Sequence, residues 1–296
     1  MVVSSTRTVV IVGAAGQLGR DLVDVWRRER PEDRLAELAH ADLEIADLAS
    51  VRQALLSVGP QLVLNAAAYN LVDRAEEDSR TAFEANAIGP RNLALAAQEL
   101  GAVLVHVSSD YVFSGTAHQP YIEGDPVDPR SVYGVSKAAG EMLVRATTPR
   151  HFVVRTSGLY GQAGSGGKGG NFVDTMLRLA EAGQPIRVVD DQVLTPTCSV
   201  DLAMQILRLA ATDAYGTYHA TCQGQCSWYA FAAEIFHLAG LNPLLQPQTT
   251  PEAGRPAARP PYSVLDNRGL RELGIDLMPD WQDALGRYLS AKPSRP

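Results

Sequence analysis

Thr8-Val-Val-Ile-Val-Gly13-Ala-Ala-Gly16-Gln17-Leu18-Gly19 decides how the rest of the chain is read. An apolar, β-branched run of strand length meets glycines spaced three and three, and a stretch with helical periodicity, 18–28, begins inside the motif. Glycine lets the backbone turn tightly and approach a pyrophosphate, whose charge is met by the free amides and dipole at the helix start. A glycine-rich loop alone could be no more than a tight strand-to-helix turn. Its position after a strand, before a helix and near the N-terminus makes it a candidate dinucleotide phosphate loop.

Working outward, short β-rich runs (8–13, 61–65, 103–108, 152–156 and a weakly marked one at 35–38) alternate with helix-period stretches (18–28, 51–57, 79–100, 132–146). This pattern predicts an α/β fold: a doubly wound parallel sheet of Rossmann type, with ligands at the carboxyl ends of the strands. Residues 1–160 would form the NAD(P)-binding Rossmann domain. Residues 161–296 would be mainly a smaller C-terminal substrate-binding lobe, with about 186–211 returning to the first domain. The lobe includes helical patterns at 171–182 and around 228–239, a strand-like run at 186–189, and a proline-rich connector. Residues 161–170 hold six glycines, either a lid that excludes water or a linker between lobes.

A chain of 296 residues with 46% apolar content can bury a large core. A formal charge of -7 argues against nucleic acid as partner, since phosphate backbones draw on clustered Lys and Arg. No apolar run approaches the roughly 20 residues that span a bilayer, and no signal segment opens the chain. Three bunched cysteines, Cys198, Cys222 and Cys226, make no disulfide framework, so a reducing cytoplasm is expected. His219, Cys222 and Cys226 have spacings that zinc could use, but a fourth ligand is not evident, and buried thiols are the alternative. Asp73, Glu76, Glu77 and Asp78 read as a solvated helix entrance. No histidine pairs with a candidate Ser or Cys nucleophile, so a hydrolase triad has no support.

Tyr133-Gly-Val-Ser-Lys137 lies at a helix start, where residues four apart share a face. A phenol with a pKa near 10 is a poor acid–base at neutral pH, and a neighbouring cation favours its phenolate. Ser108-Ser109-Asp110-Tyr111 ends the strand before that helix. A hydroxyl there can donate to a carbonyl oxygen as negative charge develops, and strand alternation selects Ser109 over Ser108. Asp110 is either a substrate ligand or a cap for the following turn. Where an acid would hold a ribose 2′-hydroxyl, at the end of the second strand, stand Ala39 and His40, so NADPH should be accepted.

These motifs, with Asn65-Ala-Ala-Ala68-Tyr69, Ser109-Asp110-Tyr111-Val-Phe113, Arg155-Thr-Ser157, Asn171-Phe172, Asp190-Asp191-Gln192, Thr195-Pro-Thr197 and Arg259-Pro-Pro-Tyr262-Ser263, resemble the extended short-chain dehydrogenases. Specifically, they are similar to the dTDP-4-dehydrorhamnose reductase family over nearly the whole chain. The resemblance implies an NADPH- or NADH-dependent oxidoreductase that reduces C4 of a nucleotide-linked 4-keto-6-deoxy sugar. Tyr133 would deliver the proton, Lys137 tune it and bind the nicotinamide ribose, and Ser109, in place of the family's usual threonine, polarise the ketone. Gly13, Gly16, Gln17 and Leu18 would meet the pyrophosphate, Glu44 and Ile45 the adenine region, and Ala67, Ala68 and Tyr69 the ribose and phosphates. Asp110, Gly158 and Asn171 would join Ser109 around the sugar.

Gly158 stands where the family often has Trp, so a roomier sugar pocket is expected. Asp21 occupies about the place of an acid that carries Mg²⁺ in some members; an exposed helix acid is the alternative, and the metal is left undecided. The oligomer is left open, a homodimer included. Two other readings stay in view: an epimerase or dehydratase of the same superfamily, and a non-catalytic subunit resembling the regulatory subunit of methionine adenosyltransferase. The dehydratase is disfavoured because Asp110 is followed by Tyr111 instead of Glu.

Overall fold

The structure, a computed structural model, describes residues 6–163 and 170–292. Five strands appear early in the chain: β1 (Thr8–Val12), β2 (Arg34–Leu38), β3 (Leu62–Asn65), β4 (Val103–Ser109) and β5 (His151–Thr156). With a later sixth, Gly216–His219, they form one parallel sheet in the order sixth, β5, β4, β3, β1, β2. In β1, Val9 and Ile11 join the core on one face, and Val10 and Val12 join the core on the other. A strand buried on both sides must be apolar at every position, which explains why β1 shows no alternation.

Helix α1 (Gln17–Glu29) and the helix Ser199–Leu209 cover the first face with Leu18, Leu22, Trp26, Leu202 and Ile206. Helix α2 (Leu48–Val58) and the helices Gly89–Glu99 and Val132–Thr147 cover the second, with Val51, Leu55, Leu93, Ala97 and Val144. The pairing brings Val12 level with Asn65, Asn65 with His106, and Ser109 with Thr156. The carboxyl ends of β1, β3, β4 and β5 therefore open onto one edge.

The helix expected over 79–100 is interrupted: Ser79–Phe83 and Gly89–Glu99 flank a π-helical turn, Glu84–Ile88. Pro90 has no amide proton to give the Asn86 carbonyl four residues earlier, so regular α-helical bonding fails there. The return to the sheet also differs from the expected 186–211. Strand Ile186–Val189 stays in the lobe, paired with Leu245–Gln248, whereas the sheet is rejoined by helix Ser199–Leu209 and by Gly216–His219.

The lobe has its own core, in which Tyr160, Val173, Phe231, Ile235, Trp281, Leu285 and Tyr288 pack together. Residues 164–169 of the glycine-rich stretch, and with them the lid expected there, lie outside the described residues. Among the described residues no helix is long and apolar enough to cross a membrane.

Candidate active site

The phosphate loop is shaped by contacts that forbid side chains. Gly13 has φ +80°, and a β-carbon on it would sit 2.7 Å from the Ala67 amide nitrogen. One on Gly19 would collide with the Gly13 carbonyl. Gly16 caps α1 without a side chain, so the first-turn amides, which have no intrahelical acceptor, face the cleft. Leu18 is in the core and offers only its main chain. Two buried oxygens lack a partner here, Gln17 Oε1 and Thr156 Oγ1. A glycine cradle and a bare helix start fit the phosphates of a dinucleotide, and the unpaired polar atoms leave room for further hydrogen bonds to it.

Ala67, Ala68 and Tyr69 follow β3 along the same edge. The π-helical turn holds them in place: Tyr69 N donates to Asn86 Oδ1 at 2.9 Å, and Asn86 Nδ2 donates to Tyr69 O at 2.9 Å and to Ser136 Oγ at 3.0 Å. Sequence reading assigned Asn86 no role; the Gly89-Pro90 break in a helical pattern was the signal. Glu44 is exposed with its carboxylate accepting from Ala46 N at 3.0 Å, and Ile45 is buried under Gly89. Ala39 does follow β2, but the Ala39 amide donates to Asp42 Oδ2 at 2.9 Å, which returns a carboxylate to that strand end.

Ser131 accepts from Gly134 N at 3.2 Å and starts the helix Val132–Thr147, which brings Tyr133 and Lys137 to the end of β4. The Tyr133 phenol is influenced there by the Ser109 hydroxyl, whose own hydrogen bonds run to Asp110 Oδ1 at 2.9 Å and from Tyr111 N at 3.2 Å. Lys137 is 2% exposed and donates to the Val107 carbonyl at 2.7 Å. The phenol does not behave as expected from the lysine alone. Burial pushes Tyr133 up to about 12; the Ser109 hydrogen bond works against this and the Asp110 charge adds to it. Burial also lowers Lys137 to about 8, with Glu141 opposing. Tyr133 is thus held as the acid. His106 is kept neutral by burial and by the Lys137 charge, and its Nδ1 is 3.1 Å from Asn65 Nδ2.

Asp110 and Gly158 line one small cavity of about 30 Å³ together with Tyr111, Leu194, Trp228 and Ser263. The extra room expected at Gly158 is not there. Gly158 has φ +55°, and a β-carbon would lie 2.7 Å from Leu194 Cδ1; Leu194 fills the space, and the Trp228 indole, tilted against Phe172 with ring centroids 4.6 Å apart, supplies an aromatic wall from the lobe. Gly158→Ala is expected to cost about 1–2 kcal/mol from the left-handed backbone alone. A chemical-denaturation midpoint equal to that of the unaltered chain would count against this geometry.

Three other expectations are corrected. Asn171 is not free for a sugar: its Nδ2 donates to Gly161 O at 2.8 Å and to Tyr288 Oη at 3.0 Å, and its Oδ1 caps the following helix. Asp21 is not an exposed helix acid but is 6% exposed and accepts a hydrogen bond from Ser199. Asp110 does not cap the turn after β4, since Ser109 accepts from Tyr111 N there. His219 faces the Tyr121 carbonyl at 3.0 Å and Arg155, while Cys222 and Cys226 sit in the lobe core.

Beneath the site lies an ion pair that sequence reading did not anticipate. Arg155 meets Glu141 through Nε–Oε1 at 2.9 Å and Nη2–Oε2 at 2.7 Å, with side-chain exposures of 3% and 0%. Ser108 Oγ also donates to Glu141 Oε1 at 2.6 Å, so the serine rejected for catalysis anchors β4 from its other face.

Comparison with known proteins agrees with this geometry. The family model described as RmlD substrate binding domain matches residues 7–293. The chain is 42% identical to the Bacillus subtilis spore coat polysaccharide biosynthesis protein SpsK, covering 97% of this chain and 98% of that one. It is 40% identical to a dTDP-4-dehydrorhamnose reductase of Streptomyces griseus, covering 93% and 91%. A crystal structure of the Bacillus anthracis dTDP-4-dehydrorhamnose reductase in complex with NADP superposes with a TM-score of 0.92 at 40% identity, covering 97% and 100%. With that match, and a phosphate loop leading to a Ser–Tyr–Lys group on a parallel sheet, the chain belongs to the dTDP-4-dehydrorhamnose reductase family of nicotinamide-dependent oxidoreductases.

Proposed function

We propose that this chain uses NADPH or NADH to reduce the 4-keto group of a nucleotide-linked 4-keto-6-deoxy sugar, dTDP-4-dehydrorhamnose or a close relative. The observation that carries this reading is the helix that bears Tyr133 and Lys137 four residues apart, tied by Lys137 Nζ to the Val107 carbonyl of β4, the strand that ends at Ser109 on the edge that also holds the phosphate loop. The coenzyme, when bound, supplies the hydride. The chain's own groups handle the oxygen. Tyr133, protonated at working pH, gives its phenolic proton to the carbonyl oxygen as negative charge develops there. Lys137, one turn along the same helix face, presents an ammonium that favours the resulting phenolate. Ser109 holds the carbonyl oxygen next to Tyr133.

Either coenzyme suits this reading. Ala39 brings no charge against a 2′-phosphate, while the nearby Asp42 carboxylate, which accepts from the Ala39 amide, would offer an acceptor to a 2′-hydroxyl. The B. anthracis relative was crystallised with NADP. The test is purified protein with NADPH and dTDP-4-dehydrorhamnose, followed at the reduced-nicotinamide absorbance. One coenzyme oxidised per sugar reduced is the expected result. Tight coenzyme binding without turnover would instead point to a regulatory subunit.

A further inference from the structure

Asp110 is a buried carboxylate with no part in the steps above. It is 4% exposed, and three hydroxyls from separate segments converge on it. Ser109 Oγ donates to Oδ1 at 2.9 Å; Ser157 Oγ, just past β5, donates to Oδ2 at 2.8 Å; Ser263 Oγ, from the lobe, donates to Oδ2 at 2.6 Å. The lobe segment is held from both sides, since Ser263 N donates to Val193 O at 2.8 Å and Tyr121 N to Val264 O at 2.9 Å.

A serine hydroxyl carries one proton. Ser109 directs that proton to Asp110, so it presents only lone pairs to the Tyr111 amide, at 3.2 Å. In this arrangement it has nothing to donate to a ketone. Polarising the carbonyl requires Ser109 to turn its proton away from Asp110, and stripping a donor from a buried carboxylate is costly. Ser157 and Ser263 offset that cost, because Oδ2 keeps two charge-assisted hydrogen bonds throughout.

We propose that Asp110, solvated by Ser157 and Ser263, positions the Ser109 hydroxyl and releases it to the ketone, which makes Ser263 a positioning residue of the reduction. The proposal rests on the reductase reading above. No covalent bond changes at Asp110: Ser109 exchanges one hydrogen-bond acceptor for another, and although burial raises the Asp110 carboxyl above its ordinary range, the Ser263, Ser157 and Ser109 hydroxyls oppose that rise. Ser263, whose proton is committed to Asp110, cannot donate to the sugar.

The test compares kcat and KM for the nucleotide-linked 4-keto sugar at saturating NADPH in the unaltered chain, Ser263→Ala and Ser157→Ala. Each variant is expected to lose about tenfold in kcat with KM within about twofold, the pattern of an interaction used only in the transition state. If Ser263→Ala does not fold, Ser157→Ala carries the same expectation. A raised KM at constant kcat, or no change in either constant, would overturn the proposal. Turnover by the unaltered chain is a separate readout: its absence counts against the reductase reading, whereas unaltered kcat in the variants of an active enzyme counts against the positioning role alone.

Discussion

Tyr133→Phe is expected to lower kcat by about 10²–10⁴-fold, the range that a positioned proton donor contributes. The substitution removes one oxygen and leaves the ring, whose edge-on packing against Tyr111 at 5.5 Å is independent of it. Fold and coenzyme binding should therefore survive, with a stability loss near the ~1 kcal/mol of a single hydrogen bond. Single-turnover oxidation of bound NADPH measures the step directly. A rate within threefold of the unaltered chain would mean that the proton comes from elsewhere, and the assignment of Tyr133 would have to be abandoned.

The second large effect is on stability. Glu141→Ala should destabilise the chain by about 3–5 kcal/mol, because it leaves the Arg155 guanidinium charged and buried without its partner. The remaining contacts of Arg155 are the Glu123 carbonyl at 3.4 Å, His219 Nε2 at 3.4 Å and the face of Phe113 at 5.0 Å, none of which replaces a carboxylate. The melting temperature is expected to fall on the order of 10 °C. The loss should reach catalysis too, since Glu141 also accepts from Ser108, the neighbour of Ser109 on β4. A melting curve shifted by less than about 2 °C would show that water reaches the pair, contrary to its burial.

Local signals made much of the fold legible. β1, β3, β4 and β5 announce themselves because each is a short, largely apolar run, whereas Arg34 and Glu37 blur β2; Tyr133 and Lys137 stand out because a helix places residues four apart on one face. What depended on tertiary contacts was hidden. The sixth strand, Gly216-Thr-Tyr-His219, is too short and too polar to mark itself, and it is a strand because β5 offers an edge. Asn171 and Asp21 looked like site residues because family position says nothing of Tyr288 or Ser199, their partners more than a hundred positions away. Gly158 misled differently: a missing side chain reads as space, but Leu194 had already taken that space. The Ser157–Asp110–Ser263 contact joins three distant segments, and no periodicity could disclose it.

The late arrival of the sixth strand bears on how the protein is made. During synthesis β5 leaves the ribosome well before Gly216–His219, so a nascent chain carries an apolar strand with one unpaired border. Such a border invites association with neighbouring nascent chains on the same message, and a chaperone that shields it would be engaged in that interval. The Ser263 bond to Asp110 comes later still, so a polypeptide truncated by a premature stop between these two points would have every strand of the sheet and lack that bond.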